Sequence, residues 1–161
     1  MPDIANDLNT LAMSEKAQPL MDAVIKHIKE NVEPITEEFQ SLEKGKVDRW
    51  SWHPRQLELL EGAKNKAKAS GLWNFFLPDS DMGDGLTNLD YAYIAAELGK
   101  YPLASETLNC SAPDTGNMEV LERVGTEAQK EKWLKPLLNG EIRSAYAMTE
   151  PNIPSSDAKN I

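Results

Sequence analysis

Apolar residues recur along this chain at the spacing of amphipathic helices. Leu20, Val24 and Ile28 fall four apart, with Met21, Ile25 and Val32 beside them, so one stripe runs along a helix that begins near Ser14. Pro34 lacks an amide donor and is expected to kink or end this helix, while Ile35, Phe39 and Leu42 continue the stripe to Gly45. Pro54 suits the first turn of a second helix running to about Ser70, with Leu57, Leu60, Ala63 and Ala67 on its apolar side. Gly71 then stands where a left-handed cap residue is wanted.

Residues 72–77 are apolar and aromatic and lead through Pro78 into a polar loop at 79–85. Thr87 or Asn88 caps a third helix carrying Leu89, Tyr93, Ala96 and Leu98, ended by Gly99. Two shorter helical patterns fill 102–125, the second with Met118, Leu121 and Val124 on its apolar side. Thr126 and Gln129 have capping-box spacing, and Trp133, Leu134, Leu137 and Leu138 supply a buried face that bends at Pro136 and stops at Gly140. Residues 143–149 read as the one convincing strand, followed by a polar loop with two prolines. A lone strand cannot pair its backbone groups, so a sheet is implied that these 161 residues do not contain.

Composition narrows the chemistry. Forty per cent apolar residues with dispersed charge describe a folded chain of one-domain length. No apolar run approaches the roughly 20 residues needed to cross a bilayer. A net charge of -9 argues against a nucleic-acid partner, and Lys64, Lys66 and Lys68 read as a solvated helix face. Cys110 is the only cysteine, which excludes an intrachain disulfide and reads as a small buried hydrophobe rather than a nucleophile. His53 beside a helix start reads as structural. The acids flanking Gly83 and Gly85 argue against a dinucleotide loop. The start of the chain, a leader over 1–13, carries no readable targeting pattern, so the compartment stays open among soluble intracellular ones.

The stretch 127–157 resembles the acyl-CoA dehydrogenase family at the join between its helical and central β domains. The matching residues are Gln129, Lys130, Trp133, Leu134, Pro136, Leu137, Gly140 and Glu141, then Ala145 through Pro151, and Ser156 with Asp157. Upstream, Gly71 to Pro78 and Cys110 to Glu119 are similar to the subgroup containing the long-chain members ten and eleven. The likeness runs from about residue 15 to the end.

This resemblance implies an all-α, up-and-down or orthogonal bundle of about six helices over 14–141. The truncated start of a middle β domain follows over 142–161 as a C-terminal β-strand stub. It implies an FAD-dependent oxidoreductase of fatty-acid β-oxidation that dehydrogenates acyl-CoA thioesters, passes electrons to an electron-transfer flavoprotein or other acceptor, and is a homo-oligomer at full length. By resemblance, Tyr146, Met148 and Thr149 lie along the flavin, Ser156 reaches its diphosphate side, and Ser155 joins them as a cofactor-binding position. Without the resemblance, Tyr146 reads as a core aromatic, Thr149 as a strand residue, and Ser155, Ser156 and Asp157 as a helix or turn cap. Apolar residues near Cys110 to Met118 are either acyl-cavity lining or plain core.

The family's catalytic base lies in a carboxy-terminal helical domain, so no residue here is named as catalytic and none as a metal ligand. These 161 residues alone are expected to bind FAD poorly and to catalyse nothing. The alternative is a non-enzymatic helical interaction module, or a short form that pairs with full-length subunits.

Overall fold

The stripe that begins at Leu20 becomes one long helical rod. In the computed structural model, which describes residues 11–46, 48, 50–77, 82–152 and 159, α1 (Gln18–His27) passes through a π turn (Ile28–Val32) into α2 (Glu33–Ser41) and a short 3-10 turn (Leu42–Gly45). Pro34 does not end the rod. The Glu33 N–H donates to the Ile28 carbonyl, five residues back instead of four, so the bonding register slips just before the ring. Pro34 then sits in the first turn of α2, where a missing donor costs little. Met21, Val24, Ile28, Val32 and Phe39 are buried along the rod, as the apolar spacing predicts, and Ala17 is buried just ahead of it.

The second helix, α3 (Pro54–Ala69), is capped by a histidine. His53 Nδ1 accepts from the Arg55 N–H at 3.1 Å, and Gln56 Oε1 accepts from the His53 N–H at 3.1 Å. The buried stripe is Gln56, Leu60, Ala63 and Ala67; Leu57, expected on that face, is 45% exposed. Gln56 holds the inward position because its amide donates to the Phe39 carbonyl at 2.9 Å and to Glu43 Oε1 at 2.8 Å. Those bonds satisfy the buried amide and two acceptors at once. Lys64 also departs from the expected solvated face, being buried with its ammonium 2.8 Å from Glu106 and 3.3 Å from Glu61. Gly71, at φ +70°, provides the left-handed cap, and the Leu72 N–H closes back onto the Ala67 carbonyl at 2.9 Å.

α4 (Asn88–Leu98) starts with a complete capping box from Thr87 and Asp90. Asp90 is buried and does more than cap: its Oδ1 accepts from the Ser14 N–H at 2.7 Å, tying the approach to α1 onto the start of α4. Burial pushes this carboxyl up, but the Ser14 and Thr87 donors outweigh it and hold the group below the usual carboxylate range. The buried face is Leu86, Asp90, Ile94 and Leu98. The expected set held only Leu98 correctly; Leu89 is half-buried and Tyr93 and Ala96 are exposed, because the capping aspartate sets the rotation of the helix. A Cβ at Gly83 would lie 2.1 Å from the Leu77 carbonyl, which accounts for that glycine without any phosphate. A single turn, α5 (Ala104–Thr107), completes the unit Met1–Ser111.

The second unit, Ala112–Ile161, contains α6 (Asp114–Val124), α7 (Glu127–Gln129), a π turn (Lys130–Leu134) and α8 (Lys135–Leu138). Thr126 and Gln129 form the expected capping box. The proline device recurs: the Lys135 N–H reaches back five residues to the Lys130 carbonyl, and Pro136 sits in the first turn of α8. Leu134 and Leu137 are buried, whereas Trp133 and Val124, both expected inside, are exposed. Adjacent residues on a helix diverge by about 100°, so Trp133 and Leu134 cannot share one buried line.

Counting continuous rods, six helices form among the described residues, an all-α architecture as expected. Residues 143–149 are in neither helix nor ladder, since an extended segment becomes a strand only beside a neighbour. No helix among the described residues is long and apolar enough to cross a membrane. Residues 1–10 of the expected leader over 1–13, residues 79–81 of the expected loop over 79–85, and residues 153–158 lie outside the described residues.

The corrected face of α3 makes a paired prediction. Leu60→Ala should cost about 3 kcal/mol in urea unfolding, the range for a buried leucine, and Leu57→Ala less than about 1 kcal/mol. Equal losses would place the helix in the rotation expected from its apolar spacing.

Candidate functional site

The residues expected to meet a cofactor follow the end of α8. Gly140 and Glu141 close that helix through N–H bonds to the Leu137 and Pro136 carbonyls, both 2.9 Å, and the chain then runs out of regular structure. Tyr146 is 69% exposed and Met148 36% exposed, with Thr149 exposed beside them. Tyr146 is thus not buried among the described residues. Ser155 and Ser156 lie outside the described residues.

The root of this segment is anchored by a carboxylate that is 2% exposed, Asp114 in the first turn of α6. Asp114 Oδ1 accepts from the Ser144 N–H at 2.7 Å and the Ser144 hydroxyl at 2.5 Å, and Oδ2 lies 2.5 Å from Arg143 Nε. Asn117 Nδ2 donates to Ser144 Oγ at 2.8 Å, which leaves the serine proton directed at Asp114. A buried carboxylate is tolerated only when its charge and lone pairs are met, and these donors meet both oxygens. Nothing in the spacing signals this cluster, because its members are separated by 30 residues of chain.

The other reactive side chains have structural occupations. Cys110 is buried, which pushes its thiol up to about 12, and its Sγ lies 3.4 Å from the Leu108 carbonyl; a thiol held protonated is a poor nucleophile. Cys110 and Met118, weighed as acyl-cavity lining, are buried in the first and second units respectively. His53 is a helix cap. His27 is buried, with Nε2 3.2 Å from Thr107 Oγ1, whose own proton goes to the Ala104 carbonyl at 2.9 Å. Nε2 must then donate, and Nδ1 accepts from the Asn31 amide at 3.4 Å. No cluster of three or more His, Cys, Asp or Glu among the described residues could hold a metal ion.

Burial, aided by the charge of Lys66, lowers the His27 pKa below its ordinary 6.5. The folded state thus binds this proton less well than the unfolded state does. Its contribution to stability is complete above pH 6.5 and is lost as pH falls towards the depressed folded value. Unfolding midpoints should drop as pH is lowered from 6.5 towards that depressed value, and His27→Gln should flatten the slope there.

Comparison with known proteins follows the same lines. Residues 14–141 match the family model described as the acyl-CoA dehydrogenase N-terminal domain. The chain is 49% identical over 154 residues to acyl-CoA dehydrogenase family member 10 of Mus musculus, covering 92% of this chain and 14% of that protein. It is 46% identical over 153 residues to family member 11 of the same species, covering 93% of this chain and 19% of that one. A solved structure from Mycobacterium abscessus, described as an acyl-CoA dehydrogenase, superposes with a TM-score of 0.80 at 44% identity, over 92% of this chain and 38% of the other. The chain therefore spans less than a fifth of the two curated relatives' length.

Proposed function

Because this chain belongs to the acyl-CoA dehydrogenase family, we propose that it is the helical amino-terminal part of an FAD-dependent oxidoreductase acting on acyl-CoA thioesters. In this reading 14–141 are the helical domain, 142–161 open the middle β domain, and Tyr146, Met148, Thr149, Ser155 and Ser156 contact FAD. The family relationship carries the first part. The second is carried by one observation: Tyr146, Met148 and Thr149 stand exposed on a segment outside helix and ladder, directly after a root held by buried hydrogen bonds.

The donor set suits the group. An isoalloxazine ring presents carbonyl and ring-nitrogen acceptors at its edge and a flat apolar face. The Thr149 hydroxyl and main-chain N–H groups are donors of the matching kind, and the Tyr146 ring and Met148 thioether provide flat or polarisable surface. When bound, FAD supplies an acceptor for the hydride leaving the β carbon of the acyl chain. This chain's residues bind and orient: Thr149 bonds the ring edge, and Tyr146 and Met148 limit water beside it. No acid or base of the chain is assigned to the α proton. Acyl-CoA as substrate, an electron-transfer flavoprotein or other acceptor as partner, and assembly into homo-oligomers belong to the same proposal for the whole protein.

The chain alone should hold FAD weakly and reduce no electron-accepting dye with acyl-CoA. Quenching of flavin fluorescence should weaken about two- to tenfold in Thr149→Ala, the scale of one hydrogen bond, and fall likewise in Tyr146→Ala. Unchanged quenching in both variants would refute the assignment of these contacts.

A further inference from the structure

Two stretches that look unrelated in the sequence, 110–119 and 143–151, meet at one buried charge. Asp114 leaves α6 with both oxygens occupied by the first two residues of the exposed segment: Arg143 through Nε, and Ser144 through its N–H and its hydroxyl. Asn117, one helical turn further along α6, donates to Ser144 Oγ. Residues 145–148 have no helix or ladder to fix their path, so the direction in which Tyr146 and Met148 project is set at their root.

We propose that Asp114 is the positioning residue for the flavin-facing segment, a proposal that rests on the FAD reading above for its purpose. A carboxylate is required there because three donors converge on two oxygens, and a carboxylate has acceptors only. An asparagine would turn an NH2 group towards either Arg143 or Ser144. Arg143 compensates the charge of the buried Asp114, and Asn117 orients the serine so that its proton points at Asp114. A shift of the chain at 143–144 would therefore redirect Tyr146 and Met148.

The test is amide hydrogen exchange on the full 15N-labelled chain, with and without millimolar FAD, in wild type, Asp114→Asn, Ser144→Ala and Ser144→Thr. Exchange at Ser144 should speed up about ten- to a hundredfold in Asp114→Asn, the scale of hydrogen bonds to a charged group. Amides within α6 and α8 should change less than about twofold. Ser144→Ala keeps the N–H and loses the hydroxyl, so it should lie between; it decides the matter should Asp114→Asn fail to fold. Ser144→Thr keeps both donors and should exchange as wild type. FAD should shift the amides of Tyr146 to Thr149 in wild type and in Ser144→Thr, and not in folded Asp114→Asn. Unaltered exchange in Asp114→Asn and Ser144→Ala, accelerated exchange in Ser144→Thr, or FAD shifts that survive in Asp114→Asn, overturns the positioning role. Accelerated exchange in a chain whose wild type shows no FAD shifts upholds the clamp and instead removes the flavin reading.

Discussion

A proline inside a helix withholds one amide donor and crowds the carbonyl four residues back, and both units of this chain are organised around that constraint. Each meets it in the same way. The helix widens by one residue immediately before the ring, so that Glu33 bonds Ile28 and Lys135 bonds Lys130 across five residues, and the proline begins a fresh α segment. The first rod thereby stays continuous enough to bury Met21, Val24, Ile28, Val32 and Phe39 along its length. Burying such side chains contributes about 1.5–3 kcal/mol apiece, which outweighs the poorer geometry of a single wide turn.

Around these rods, a few buried polar side chains fix the rotation of the helices more tightly than the apolar residues do. Gln56 turns α3 so that Leu57 faces solvent, and Asp90 turns α4 so that Tyr93 and Ala96 do. Each is a capping residue whose remaining hydrogen-bonding capacity reaches a second element: Gln56 to the end of α2, Asp90 to the approach of α1. A helix whose cap is committed in two directions has one rotation, because any other leaves a buried polar atom unpaired.

The same principle operates at Asp114 in the second unit. A buried charge is costly, and the cheapest way to neutralise it here is to hold Arg143 and Ser144 against α6. The outcome is an irregular segment held at its base and exposed over residues 145–149.

The sequence alone determined the helices, their apolar stripes in outline, the helix starts at Pro54, at Thr87 or Asn88 and at Thr126, the buried character of Cys110, and the family. These depend on neighbours within a turn or two, where spacing encodes contact. Residues 143–149, expected as a strand, stand in neither helix nor ladder. Only the tertiary structure decided that prolines 34 and 136 bend no rod to its end, that Gln56 and not Leu57 faces inward, that Lys64 is buried against Glu106, and that Asp114 holds Arg143 and Ser144. Those outcomes turn on where distant polar groups find partners, and hydrogen-bond satisfaction across tens of residues leaves no periodic trace in the chain.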